Sequence, residues 1–447
     1  MIIQDAAPTI NAGDTAWVLT ASALVMVMTV GLAFFYGGLV RSKNALNTMM
    51  MSVVALGVIS VTWVLFGYSL AFGPGGGALI GGTAWFGFHG VGVEPNPSYG
   101  ATIPLQAHAV FQLMFAIITP ALISGAIVER MKFKAYVAFL TLWGLLVYVP
   151  LAHWVWAPDG WLFKMGALDF AGGTVVHISA GVSAFVAAKL LGPRQGFKKT
   201  PLVPHNVPLV LLGAGMLWFG WFGFNAGSAL AANGLAALAF VNTNTAAAAA
   251  LVTWAILDSV RGGKVTAVGA ATGAVVGLVC ITPAAGYVTA RAAIVIGMAG
   301  ALVSYFAIQF RAKSALDDSL DVFSCHGMAG IAGALLTGVF ATKLANPGAA
   351  DGLLAGNAGQ LWIQVVAVAA AIGIAVVGTV VIFFLVRAVF GMRPAVRDEI
   401  TGLDLSEHGE EAYLGGDLGG LSGPGVEIGQ GVVLSMSVNP NPAPATQ

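Results

Sequence analysis

The chain has 447 residues, of which 58% are hydrophobic and only 9% are charged, with 19 basic and 19 acidic side chains. Soluble domains carry about 25% charged residues, so this composition, with a mean hydropathy of +0.87, excludes a cytosolic or secreted protein. The formal net charge of zero also excludes the basic surface that is typical of nucleic-acid-binding proteins.

Eleven apolar runs are each long enough to cross a bilayer as a helix, since about 20 residues span its apolar core. The runs lack the strict alternation of a membrane β-barrel, so they predict an all-α polytopic membrane protein. The predicted spans are residues 16–38, 48–72, 104–127, 135–154, 171–191, 207–227, 237–258, 265–282, 291–310, 323–342 and 361–388.

Basic side chains support this count and predict an orientation. Sixteen of the 19 Lys and Arg residues follow odd-numbered spans, and only Lys164, Arg291 and Lys343 lie on the other side. Because basic residues concentrate in cytoplasmic loops, we expect the N-terminus outside and the C-terminus in the cytoplasm. The expected location is the inner (cytoplasmic) membrane of the cell.

The spans divide the chain into five parts. These are an external tail (1–15), a five-helix unit (16–191), a second and inverted five-helix unit (207–342), an eleventh helix (361–388) and a cytoplasmic tail (390–447). The first tail has no basic stretch, so no signal peptide is visible. The last tail is polar, and its Gly/Pro/Asn-rich end is expected to be disordered.

A short motif recurs five spans apart and suggests an internal repeat. The fifth span contains HISAGV from His177, and the tenth contains HGMAGI from His326. An odd number of spans per unit inverts the second copy, and inverted repeats place the substrate path at their interface. We therefore expect His177 and His326 to meet near a pseudo-twofold axis.

Two imidazoles in contact can pass a proton or accept hydrogen bonds from a small polar solute. Ionisable groups inside membrane spans are functional candidates by default, although each histidine alone is better explained as a neutral side chain bonded to a backbone carbonyl. The repeated placement favours the functional interpretation. No third metal ligand accompanies the pair, and no nucleotide-binding or hydrolase motif is present. We therefore expect no metal, no cofactor and no enzymatic activity.

Asp169 and a group of aromatic residues are candidates for an outer site. Asp169 lies eight residues before His177, where it is expected to cap the helix and is a candidate to attract a cation. The aromatic residues lie near the predicted external helix ends, at Phe111, Phe115, Trp156, Trp221 and Phe224. Aromatic faces can hold a cation, but an interfacial aromatic belt explains the same pattern. Composition alone favours the interfacial belt.

Together these residues resemble the ammonium transporter (Amt/Rhesus) family over nearly the whole chain. The similar motifs, in family order, are FFYGGLVRSKN at 34–44, FQLMF at 111–115, ALDFAGGTVVHI at 167–178, WFGFNAGS at 221–228, DDSLDVFSCHG at 317–327 and GLDLSEHGEEAY at 402–413. The tail and the DFAGGT run resemble the bacterial Amt branch more than the Rhesus branch.

The resemblance implies a homotrimer with one ammonium pore in each protomer, and a cytoplasmic PII-type regulator that would block the pores. The residues similar to the outer ammonium site are Trp156, Phe115, Ser228 and Asp169. Those similar to the gate are Phe111 or Phe115 with Phe224, and Trp221 lies beside the path. Those similar to the pore centre and proton relay are His177, His326 and Thr282.

We therefore expect ammonium to be recruited at an outer aromatic site and deprotonated, with ammonia conducted past the histidines while the proton crosses alongside. One alternative is an ammonium sensor in which transport is vestigial. Family sensors usually carry a fused signalling domain, for which the tail at 390–447 is expected to be too short. The other alternative is an electroneutral channel for ammonia or a small neutral solute, in which the histidines only bind the solute by hydrogen bonds.

Overall fold

A computed structural model describes residues 9–413 of the chain, so the predicted disordered end of the tail lies outside the described residues. Within that range, ten helices are long and apolar enough to cross a membrane, and one apolar helix is shorter. In chain order they are α1 (Ala12–Leu39), α2 (Ser42–Phe72), α3 (Leu105–Ile127), α4 (Phe133–Met165), α5 (Gly173–Leu191), α6 (Val207–Ala229), α7 (Gly234–Gly262), the short α8 (Ala267–Ile281), α9 (Ala290–Lys313), α10 (Phe323–Phe340) and α11 (Ala358–Phe390). The prediction of a helical polytopic membrane protein is confirmed.

Polar residues mark where several of these helices begin. The side chains of Asn11, Asn233 and Thr266 accept backbone N–H bonds from the first turns of α1, α7 and α8. Such residues satisfy donors that have no partner within the helix. The helix α8 has 15 residues, fewer than a straight bilayer crossing requires. The predicted count of eleven spans depends on this helix and stays a prediction.

The helices α1 and α6 approach closely because small residues lie between them. A Cβ atom placed on Gly213 of α6 would lie 2.3 Å from the backbone nitrogen of Phe35, and one on Gly31 of α1 would lie 2.8 Å from Cβ of Met216. Lipid-embedded helices gain little from apolar burial alone, so close van der Waals packing stabilises their contact. These are the first helices of the two predicted five-helix units.

At the end of the bundle where α1 begins, which is predicted to be external, the segment between α2 and α3 folds over the helix ends. It contains the short antiparallel strands β1 (Pro95–Asn96) and β2 (Gly100–Pro104). The hydroxyl of Tyr99 donates to the carbonyl of Phe72 at 2.6 Å, and its ring stacks on His108. These contacts attach the segment to both helices.

At the opposite end, predicted to be cytoplasmic, four charged side chains form a buried ionic cluster. Glu129 accepts from Arg194 at 2.8 Å and from Arg41 at 3.0 Å, and Arg194 also pairs with Asp317 at 2.8 Å. Burial alone would raise the pKa of Glu129, but the charge of Arg194 and the hydrogen bonds and charge of Arg41 hold that pKa below its ordinary value. The cluster joins the loops after α1, α3, α5 and α9.

The segment after α11 packs against the same loops. It contains the short helix α12 (Val396–Thr401) and a π-helical turn at Asp404–His408. The Asp404 carboxylate accepts the backbone N–H groups of Leu46 and Asn47 at 3.0 and 2.7 Å, and Glu399 accepts that of Gln195 at 2.7 Å. The described part of the tail is therefore ordered by hydrogen bonds to the start of α2 and to the loop after α5.

The substitution Glu129→Gln should lower the stability of the folded protein in detergent. It leaves Arg41 and Arg194 without the carboxylate that pairs both, and breaking a buried ion pair costs about 3–5 kcal/mol. We expect a clear fall in the thermal unfolding midpoint. The control Asp159→Asn removes an exposed pair with Lys164 and should leave the midpoint nearly unchanged. Equal midpoints for Glu129→Gln and the native protein would contradict the assigned role of the cluster.

The ionic cluster should also make the stability of the folded protein depend on pH in the acidic range. Because the pKa of Glu129 is lower in the folded protein than its ordinary value, its contribution is complete above about pH 4.5 and is lost as pH falls through the folded-state pKa. The unfolding midpoint should therefore decline below about pH 4.5. That decline should be shallower in Glu129→Gln, and parallel curves would exclude Glu129 as the titrating group.

Candidate functional site

Two aspartates of matched position begin the helices that contain the candidate histidines. The carboxylate of Asp169 accepts the backbone N–H groups of residues 172–175 at 2.6 to 3.1 Å. The carboxylate of Asp318 accepts those of Val322 and Phe323 at 3.0 and 2.8 Å. Each histidine follows its aspartate by eight residues. Each also lies in a six-residue π-helical segment, a feature frequent at functional sites.

The two histidine side chains meet inside the protein. The Nδ1 atoms of His177 and His326 lie 3.3 Å apart, with ring centroids separated by 5.4 Å. Both residues are buried, with exposed fractions of 1% and 5%. A hydrogen bond between two Nδ1 atoms requires that one ring donates and the other accepts. This contact therefore orients the pair with one proton between them and leaves the Nε2 atoms for other partners.

Glycines of the repeated motif allow the histidine segments to cross. A Cβ atom on Gly181 would lie 2.1 Å from the backbone nitrogen of Gly327, which follows His326. A Cβ atom on Gly330 would lie 3.1 Å from Cβ of His177. Gly181 and Gly330 occupy the same position in their motifs, four residues after the histidine. The glycine of each motif thus packs against the histidine segment of the other.

Trp221 supports the ring of His177 from one side. The two rings are stacked, with centroids 5.4 Å apart and an interplanar angle of 26°. The indole Nε1 of Trp221 donates to Oγ1 of Thr282 at 2.9 Å, and this hydroxyl donates to the carbonyl of Leu278. Thr282 therefore fixes Trp221 by a hydrogen bond at the end of α8, and it acts on the histidine pair through Trp221.

Two phenyl rings lie over the histidine pair on the predicted external side. The rings of Phe115 and Phe224 have centroids 4.2 Å apart, and Phe224 lies 6.0 Å from His177. Phe111 packs its edge against Phe115 at 5.0 Å and lies beside Gly227. The sequence left open which phenylalanine stacks with Phe224, and the structure places Phe115 there.

The remaining candidates are Trp156, Ser228 and Asp169. The indole of Trp156 meets Phe115 edge to face at 5.8 Å and donates its Nε1 hydrogen to the backbone carbonyl of Asp169 at 3.0 Å. The hydroxyl of Ser228 donates to the carbonyl of Phe224 at 2.8 Å, which leaves its oxygen lone pairs available. All four acceptor positions of the Asp169 carboxylate bind backbone N–H groups. The negative charge of Asp169 could therefore attract a cation electrostatically, without direct contact between the cation and the carboxylate.

Two cavities continue from the phenyl rings to the predicted cytoplasmic face. The first is narrow, with a volume of about 10 Å³, and lies between Phe224 and His326 with mainly aliphatic walls. The second is a vestibule of about 400 Å³ that begins at His326. Its wall includes Arg41, Glu129, Arg194, Arg311 and Asp321. The histidine pair thus lies where an apolar passage changes to a charged one.

Sequence reasoning missed two features of this site. The first is Asp318, whose eight-residue spacing to His326 repeats that of Asp169 to His177. The second feature is Gln364 of α11, which bonds to Leu168 beside Asp169. No local signal identifies this contact, because its partners are separated by 196 residues.

Comparisons with known proteins agree on one family. The model described as Ammonium Transporter Family matches residues 16–413. An ammonium transporter of Aquifex aeolicus is 50% identical over 408 residues, covering 90% of this chain and 94% of that protein. One of Bacillus subtilis is 48% identical, covering 90% and 98%. The solved structure of Saccharomyces cerevisiae Mep2 superposes with a TM-score of 0.82 at 37% identity, covering 87% and 89%.

The substitution Asp169→Asn should destabilise the start of α5. The amide of asparagine keeps one oxygen but directs its NH₂ group at two of the four backbone donors. Each buried donor left without an acceptor costs about 1–3 kcal/mol, so the thermal unfolding midpoint should fall. The control Asp351→Asn alters an aspartate that accepts one loop N–H from Lys343 and should have little effect. Unchanged unfolding of Asp169→Asn would contradict the capping role.

Proposed function

Since this chain belongs to the ammonium transporter family, we propose that it moves ammonium across the cytoplasmic membrane as ammonia and a separately conducted proton. The observation that carries the proposal is the contact between His177 and His326 at the end of a narrow apolar cavity. An apolar passage suits a neutral solute, and an imidazole pair suits proton transfer.

The proposed mechanism avoids placing a bare cation in an apolar environment, which costs tens of kcal/mol by Born solvation. Ammonium and potassium are similar in size, but only ammonium has a removable proton and hydrogen-bond donors. A path that requires deprotonation therefore rejects potassium. The neutral ammonia then passes the aliphatic walls of the cavity at little electrostatic cost.

Recruitment would occur outside Phe115. There the indole face of Trp156 and the ring of Phe115 provide cation–π attraction of about 0.5–2 kcal/mol. The Ser228 oxygen can accept one N–H bond, and the charge of Asp169 adds long-range attraction through the capped helix start. In this scheme Phe115 and Phe224 form the gate, with Phe111 packed behind it and Trp221 lining the path, and the proton leaves ammonium near these rings.

The proton would travel along the imidazole pair. A proton accepted by one ring is released from the other when the shared Nδ1 hydrogen shifts between them, because each ring can exchange donor and acceptor roles. Trp221, fixed by Thr282, keeps the ring of His177 in place during this exchange. Ammonia and the proton recombine in the charged vestibule on the cytoplasmic side.

The same proposal includes the finer architecture. Eleven spans with the N-terminus outside agree with the alternation of basic residues, and two inverted five-helix units agree with the reciprocal packing of Gly181 and Gly330. A homotrimer and a PII-type regulator follow from the family resemblance. The ordered segment at 396–408 and the vestibule supply a cytoplasmic surface for such a regulator.

An ammonium sensor is a second candidate for one specific reason. A solved structure described as a sensor Amt protein is 31% identical to this chain, with a TM-score of 0.81, and the match covers 98% of that protein. The similarity in fold therefore does not distinguish a transporter from a sensor. Electroneutral passage of ammonia remains the third alternative, and it differs from the main proposal by the absence of current.

The substitutions His177→Glu and His326→Glu should admit potassium. A carboxylate at the pair provides a fixed negative charge that compensates a bare cation in the passage, so cation rejection weakens. Potassium-driven current in proteoliposomes should rise from background to a measurable level. The control His177→Gln removes the imidazole without adding charge and should keep potassium out. Unchanged potassium exclusion in both Glu variants, with folding verified, would count against the scheme.

A further inference from the structure

A buried glutamine of α11 is bonded to the chain beside the candidate outer site. The side chain of Gln364 has no exposed surface. Its Oε1 accepts the backbone N–H of Leu168 at 2.8 Å, and its Nε2 donates to the backbone carbonyl of the same residue at 2.7 Å. Nε2 also donates to the carbonyl of Ala334 at 3.1 Å. One side chain therefore binds both polar backbone groups of Leu168.

The orientation of this amide is fixed by its partners. The N–H of Leu168 requires an oxygen acceptor, whereas the carbonyls of Leu168 and Ala334 require N–H donors. If the amide were reversed, its NH₂ group would face the N–H of Leu168 and its oxygen would face the two carbonyl oxygens. Gln360, one turn earlier, donates to Oε1 of Gln364 at 3.3 Å and to the carbonyl of Gly166 at 2.9 Å. Every donor and acceptor position of Gln364 is thus occupied.

The position of Leu168 gives these bonds a consequence for the site. Asp169, the next residue, accepts the indole hydrogen of Trp156 on its carbonyl and caps the segment that leads to His177. Ala334 lies on α10, eight residues after His326. Gln364 therefore connects α11 to the Trp156 face and to the helices of both histidines.

We propose that Gln364 is a positioning residue for substrate recruitment, which holds the Asp169 backbone so that Trp156 presents its indole beside Phe115. This inference rests on the proposed function, because it assigns the outer aromatic face to ammonium. It also gives the eleventh helix, which lies outside both predicted repeat units, a specific part in the site. The hydrogen bonds that the structure gives the Gln364 side chain join it to Leu168, Ala334 and Gln360.

The test compares ammonium-driven currents in proteoliposomes that contain the full chain. Gln364→Leu keeps the size of the side chain but loses all its hydrogen bonds, and it should raise the half-saturating ammonium concentration about tenfold while maximal current changes less than about twofold. Thr379→Val is the matched control, because Thr379 is buried on the same helix and its hydroxyl has no hydrogen-bond partner among the described residues. Its saturation curve should match that of the native protein.

Gln364→Glu supplies a second readout that general destabilisation would not produce. A protonated carboxyl can accept from Leu168 N–H and donate to one carbonyl, whereas an ionised carboxylate would face two carbonyl oxygens. Relative to the native protein at the same pH, saturation should be nearly normal at about pH 5 and weakened at about pH 8. Gln364→Leu should show no such recovery. Native-like half-saturation in Gln364→Leu, or a rise in the half-saturating ammonium concentration of Gln364→Glu at about pH 5 as large as that of Gln364→Leu, would overturn the proposal.

Hydrogen exchange separates a failure of this proposal from a failure of the proposed function. Amide exchange in the segment 166–178 should be faster in Gln364→Leu than in Thr379→Val, independent of any current. If the native protein gives no saturable ammonium current, the proposed function fails and the recruitment role fails with it, even if exchange is faster. If the native current saturates but exchange and half-saturation are unchanged in Gln364→Leu, only the role of Gln364 is wrong.

Discussion

The contact between the Nδ1 atoms of His177 and His326 requires two helices to approach closely deep inside an apolar molecule. Gly181 and Gly330 make that approach possible, because any side chain at either position would meet the opposing segment. Asp169 and Asp318 then supply hydrogen-bond acceptors for the free N–H groups where both segments begin. The two imidazoles, the two glycines and the two capping aspartates thus all belong to the place where the segments containing His177 and His326 cross. The phenyl rings and the cavities are arranged around this crossing point.

Electrostatics separates the passage from its surroundings. Glu129 and Asp317 are neutralised by Arg41 and Arg194 at the predicted cytoplasmic end, and backbone donors surround the carboxylate of Asp169. The narrow cavity between Phe224 and His326 has mainly aliphatic walls. Charge is therefore concentrated at the two ends of the path, and polarity at its centre comes from imidazole. This distribution supports the proposal that a neutral solute and a mobile proton cross in place of an intact cation.

Much of this arrangement could be predicted from the sequence, because helix length, loop charge and a repeated histidine motif are local patterns. The choice of Phe115 over Phe111 as the partner of Phe224 could not be predicted, since both lie one turn apart on α3 and their order depends on helix rotation. The bonds of Gln364 and Arg194 were also missed. Their partners are distant in the sequence, and an isolated Gln or Arg gives no sign of what it will contact.

The central claim is that each ammonium ion crosses as a neutral ammonia molecule and a proton, which take separate routes through the same protein. The most direct test is the current across proteoliposomes containing the native chain after a pulse of ammonium, with potassium as the control. The account predicts a saturable current with ammonium and none with potassium. Absence of current from protein shown to be folded would contradict it, and an internal pH indicator would then distinguish passage of neutral ammonia from sensing without transport.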